Sequence, residues 1–145
     1  MSVTLEKLPD EPIVIVTAVG LLNVEGMRAI YTQIAKILEK IDPPLYRISD
    51  VREQETSFAE MIEIVKEAGR GMPGTTTDPR IRHMFVGRHK FAMLARDFYR
   101  NSDPNRLSMP TFDTLEEALS YVRAEIKRQG AAVAPEGRDS SAVEP

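Results

Sequence analysis

The chain has no cysteine, which excludes a disulfide framework, a thiol nucleophile and a zinc–thiolate centre together, and fits a reducing compartment. No apolar run approaches the roughly 18 residues a helix needs to cross a bilayer. Met1-Ser2-Val3-Thr4-Leu5-Glu6 also lacks the basic-then-apolar order of a secretory leader. The expectation is a cytoplasmic protein with no membrane insertion. A Gly-x-Ser-x-Gly elbow, a Walker loop and a dinucleotide fingerprint are all missing. Gly69-Arg70-Gly71-Met72-Pro73-Gly74 has the glycines of a phosphate cradle, yet it follows a helical stretch instead of linking a strand to a helix. There are two histidines, His83 and His89, one inside a strand-like run and one past its end, and no third ligand has matching spacing. No catalytic residue, metal site or cofactor is assigned, and the expectation is a protein that is not an enzyme.

What is present is a single domain's worth of alternating strand-like and helix-like segments. At 145 residues the chain can bury roughly two-thirds of its unfolded surface. Val3 to Leu8 and Ile13 to Val19 read as two strands, and Pro9-Asp10-Glu11-Pro12 between them favours a hairpin. The β-branched content of Ile13 to Val19 suits a strand covered on both faces. After a cap at Asn23, apolar residues from Met27 to Ile41 recur at three- and four-residue spacing, and Asp42-Pro43-Pro44 ends that helix. Leu45 to Val51 reads as a strand and Arg52 to Glu55 as a charged loop. Ser57 and Glu60 have the spacing of a capping box before a helix that runs to about Ala68.

The stretch Gly69 to Arg80 is rich in glycine, proline and threonine and reads as a loop that is either functional or disordered, not purely connective. Ile81 to Gly87 is the next strand, and a helix with Phe91, Leu94, Ala95, Phe98 and Tyr99 on one face follows Arg88-His89. A short segment from Leu107 to Phe112 leads to a second capping-box spacing at Asp113-Thr114-Leu115-Glu116, where a helix with Leu115, Ala118, Leu119, Val122 and Ile126 inward begins. Residues 1–130 are read as one domain. Residues 131–145 have no core pattern and are expected to be disordered.

The order ββαβαβαβα predicts an α/β fold, a mostly parallel sheet with an N-terminal antiparallel hairpin and helices on its faces. This order resembles the STAS or SpoIIAA-like family over about residues 3–129. Leu45-Tyr46-Arg47-Ile48-Ser49-Asp50 looks like the family's third strand, and Phe112 to Leu119 like its last strand-to-helix junction. In anti-sigma-factor antagonists a phosphorylatable serine opens the second helix within an Asp-Ser-Ser/Thr-Gly pattern. The matching stretch here is Glu55-Thr56-Ser57-Phe58, so the resemblance is to the uncharacterised SpoIIAA-like group more than to the antagonists proper. It implies a regulatory or scaffold module that binds another protein, and makes Ser57 a candidate phospho-switch. The plain alternative for Ser57 is a helix cap.

Charge divides the chain. Residues 1–69 carry a net −5, residues 70–106 a net +5 and residues 107–145 a net −3. Overall acidity argues against a general nucleic-acid binder. Within the basic block, Arg80, Arg82, Arg88, His89 and Lys90 are candidates for binding an acidic partner or a small anion, with Gly69–Arg80 and the Gly87–Lys90 turn as the two walls of a sensor site. The alternatives are solvated charges, or pairing with the molecule's own acidic helices. Homo-oligomerisation is compatible with all of these. The carboxylates Glu60, Glu63 and Glu67 fall on a polar helix face and read as solvated, not as acid–base catalysts.

Overall fold

The two N-terminal runs pair as an antiparallel hairpin, β1 (Ser2–Lys7) against β2 (Ile13–Leu21), with Leu5 opposite Val16. Its turn places Asp10 at φ 60°, a left-handed conformation that aspartate tolerates better than most residues. The Lys7 ammonium closes the turn by donating to the carbonyls of Leu8 and Glu11. The computed structural model describes residues 2–68, 73–75, 78–88, 93, 97 and 109–138.

After β2 come α1 (Val24–Leu38), β3 (Leu45–Glu55), α2 (Phe58–Ala68), β4 (Ile81–Val86), β5 (Thr111–Phe112) and α3 (Leu115–Arg138). The five strands lie in sequence order, β1-β2-β3-β4-β5, and all neighbours beyond the hairpin are parallel. This is the α/β sheet that the order of segments implied. The expected helix around Phe91 to Tyr99 falls outside the described residues, apart from Met93 and Asp97.

Helices cover both faces, which explains why β2 reads as a continuous apolar run. On one face Ile13, Ile15, Tyr46, Ile48, Met84 and Val86 pack against Ala118 and Val122 of α3. On the other, Val14, Val16, Leu45 and Ile81 pack against Ile30, Ile34 and Leu38 of α1, and a neighbouring cluster joins Met27 and Tyr31 to Met61 and Ile64 of α2. Each fully buried aliphatic side chain in these layers contributes roughly 1.5–3 kcal/mol.

Four boundaries differ from the sequence reading. Arg52 to Glu55 is strand, not loop: β3 has a bulge opposite Thr17 to Val19 and then continues alongside Gly20 and Leu21, which turns Gln54 inward. Helix α1 ends at Leu38, although Ile41 still packs against its cluster. The second capping box is shifted by one residue, since Thr114 Oγ1 accepts from the Glu117 N–H and Glu117 returns a carboxylate oxygen to the Thr114 N–H. Helix α3 continues past Gly130 to Arg138, into the segment expected to be disordered.

Candidate functional site

Three chain junctions meet at the C-terminal end of the parallel strands, where open α/β sheets expose their loops. Ser57 caps α2: its hydroxyl accepts from the Glu60 N–H at 3.1 Å. The reciprocal half of the expected box is absent, because the Glu60 carboxylate reaches the Val24 N–H at 3.3 Å instead and ties the start of α2 to the start of α1. Asn23 caps α1 through Gly26, and the Leu22 N–H donates to the Glu55 carbonyl at 2.8 Å. These bonds hold two large apolar side chains in water on either side of the junction, Leu21 at 63% exposure and Phe58 at 59%. Ile62, one turn along α2 from Phe58, is also exposed.

The same end of the sheet carries the Gly87 turn. Gly87 has φ 100°, and a Cβ there would lie 2.7 Å from Cγ of Arg52. Glycine is therefore required both for the turn and for the approach of that side chain. Arg52 in turn chelates Asp50 at 2.7 and 3.0 Å, and this guanidinium holds the Asp50 carboxyl below the usual carboxylate range against the opposing effect of burial. Arg88 pairs with Asp113 at 3.1 Å, both side chains about two-thirds exposed.

Of the residues proposed for an anion site, the described Arg80 and Arg88 lie apart. Arg80 precedes β4 and Arg88 follows it, so the length of a six-residue strand, roughly 20 Å, separates them. Arg80 is bound to Asp78 through two side-chain bonds of 2.8 and 3.0 Å, and Arg82 donates to the Pro79 carbonyl. Neither arginine pairs with the acidic early helices; the contacts are local. His89 and Lys90 lie outside the described residues. In the described part of the Gly69–Arg80 segment Thr75 and Asp78 are each 3% exposed, while Pro73, Pro79 and Arg80 face water. Gly74 rests directly on α1, where a Cβ would meet the Tyr31 carbonyl at 2.3 Å.

Sequence reasoning passed over a polar island inside the sheet. Arg47 of β3 and His83 of β4 are register partners on the face beneath α1 and α2, 5% and 4% exposed. Arg47 donates to Ser49 Oγ at 3.0 Å, and its guanidinium carbon lies 5.6 Å from the centre of the Tyr31 ring. They border a cavity of about 80 Å³ whose other walls are mostly apolar. Composition carried no signal for it, because residues 45–51 are all buried between helices on both faces. Among the described residues no group of three or more His, Asp or Glu side chains is placed to hold a metal ion, and no helix is long and apolar enough to cross a membrane.

No family model matches the chain, and no curated protein matches its sequence. Solved structures do. One is an uncharacterised DUF3478-family protein with a SpoIIAA-like fold from Shewanella loihica PV-4, with TM-score 0.55 and 17% identity over 83% of this chain and 91% of that one. Another is the anti-sigma factor antagonist SpoIIAA in its unphosphorylated form, with TM-score 0.56 and 16% identity over 84% of this chain and 98% of that one. An anti-sigma factor antagonist from Mycobacterium paratuberculosis aligns with TM-score 0.48 and 14% identity over 84% and 93%. The chain thus has the SpoIIAA-like, or STAS, fold. Its third strand begins at Leu45 and its last helix at Leu115, where the resemblance put them.

Proposed function

We propose that the chain is a non-enzymatic regulatory module that acts by binding another protein through the C-terminal rim of its sheet. The observation that carries this reading is the exposure of Leu21 and Phe58 at a junction held rigid by the Ser57, Asn23 and Glu60 bonds. Apolar side chains presented on a fixed frame lose little freedom on docking, and each square ångström they bury is worth roughly 25 cal/mol. The exposed Arg88–Asp113 pair gives the same end of the sheet a polar element, as protein interfaces have at their edges. SpoIIAA, whose fold the chain shares, is an anti-sigma factor antagonist, which favours regulation over catalysis. In this reading Ser57 serves first as a cap; a phosphate there would gain from the helix N-terminus but would face Glu53, Glu55 and Glu60.

The test is affinity purification from the source cells with wild-type protein and with the double variant Leu21→Ser, Phe58→Ser. A partner recovered in stoichiometric amount by the wild type and lost by the variant, with circular dichroism unchanged, is the expected result. A partner retained by the variant, or none recovered after cross-linking, would refute the assigned surface.

A further inference from the structure

The two edges of the sheet are unlike. β5 is two residues long, whereas β1 presents six residues without proline or glycine, and among the described residues no strand pairs with its outer side. The Leu8 N–H donates to the Ile13 carbonyl at 3.0 Å, and the register with β2 then runs unbroken back to Ser2. In an antiparallel ladder every second residue bonds its partner strand, so Glu6 and Thr4 bond β2 while the N–H and C=O groups of Val3, Leu5 and Lys7 point to the open edge. Such an edge templates another strand unless charge, proline or a bulge guards it. Lys7 is the strand's lysine, but its ammonium is drawn back to the Leu8 and Glu11 carbonyls of the turn. The half-buried Val3 and Leu5 pack against the α1 cluster and leave apolar surface open beside that edge.

We propose that β1 pairs with β1 of a second copy of this chain, antiparallel about a two-fold axis at Leu5, so that the two sheets become one. Symmetric registers centred on Thr4, Leu5 or Glu6 fit the outward groups. The Glu6 register sets two carboxylates face to face, and the Thr4 register carries Lys7 beyond the start of the other strand. Centred on Leu5, the pairing apposes the two Leu5 side chains on the α1 face, sets each Thr4 hydroxyl against the other copy's Glu6 carboxylate, and matches Val3 with Lys7, closing about six backbone hydrogen bonds. An edge of this length buries less than the roughly 1,000 Å² of a stable interface, so the dimer is a weak one, with a Kd of about 0.1 mM. Because β1 runs against β2, the parallel strands of the two copies run in opposite directions and their C-terminal rims face opposite ways. The result is a two-ended scaffold whose formation does not depend on what the rim binds.

The chain has no cysteine, so single cysteines report the register. Opposed residues of a hydrogen-bonded antiparallel pair have Cα atoms about 5.5 Å apart, inside the range a disulfide spans. In a glutathione redox buffer, the full chain carrying Leu5→Cys should form a covalent dimer at least about ten-fold faster than Thr4→Cys or Glu6→Cys, although both of those positions are more exposed. Sedimentation of the wild type from about 10 µM to about 1 mM should show a monomer–dimer equilibrium. Leu5→Lys, which sets two ammoniums face to face, should weaken it at least about ten-fold. Should that variant not fold, Val3→Pro, which removes an outward N–H and keeps Leu5, should weaken it likewise. A wild type that stays monomeric at millimolar concentration, a Thr4→Cys or Glu6→Cys dimer that forms as fast as that of Leu5→Cys, or undiminished association of either folded variant would overturn the proposal.

Discussion

Asp78→Asn tests the most heavily bonded carboxylate described in the fold. Asp78 is 3% exposed and accepts from the Gly74 N–H at 2.9 Å, the Arg80 N–H at 3.0 Å, and Arg80 Nε and Nη2 at 3.0 and 2.8 Å. Burial is the largest single influence on its carboxyl and would raise it. The Arg80 guanidinium and the two backbone N–H groups together outweigh burial and hold it at about 2, against an ordinary 3.8. Because the folded value lies below the unfolded one, the contribution to stability is fully present above pH 3.8 and is lost as pH falls toward 2. A drop of that size is worth roughly 2–3 kcal/mol, taken at its lower end of about 2 kcal/mol because the Arg80 side chain is partly solvated. Asparagine keeps the shape and one acceptor but loses the charge and the second acceptor. Urea unfolding at pH 7 should therefore show Asp78→Asn about 2 kcal/mol less stable, with a melting temperature lower by about 6 °C. At pH 2.5 the gap should narrow to below about 1 kcal/mol, since the wild-type carboxylate is then losing its advantage. A gap equal at the two pH values, or under about 0.5 kcal/mol at pH 7, would show that the clip adds no charge-dependent stability.

Gly74→Ala should cost at least about 2 kcal/mol, because φ is 85° and the new Cβ would lie 2.3 Å from the Tyr31 carbonyl and 2.9 Å from the Ala35 nitrogen. Gly130→Ala is its control: a Cβ there meets open space, so urea unfolding should show no loss and up to about 1 kcal/mol of gain in the helix. Ser57→Ala should cost about 1 kcal/mol through loss of the α2 cap, with Ser57→Asp restoring most of it, measured by urea unfolding of both variants.

The layered fold was legible because its elements announce themselves by period. The three- and four-residue spacing from Met27 to Leu38 and from Leu115 to Val122 marks helices, and the unbroken apolar run at Ile13 to Val16 marks a strand covered twice. Boundaries were less visible where pairing, not composition, decides them. Arg52 to Glu55 looks like a loop by charge, yet Val19 to Leu21 offers it a partner strand and the bulge turns Gln54 inward while Glu53 and Glu55 face water. Glu60 illustrates the same limit at a helix start. Its spacing from Ser57 fits a capping box, but the first turn of α1, distant in sequence, takes its carboxylate.

Proximity along a chain also says little about proximity across a strand. Residues 80 to 90 form one basic block in sequence, whereas β4 carries Arg80 and Arg88 to opposite ends of the sheet, each beside its own carboxylate. Arg47 was hidden by the converse effect. On a strand covered on both faces almost every side chain is buried, so the inward and outward rows cannot be separated by polarity. Only the register with β2 and β4 shows that Val14, Arg47 and His83 form one row, with Val16, Ser49 and Phe85 as the next.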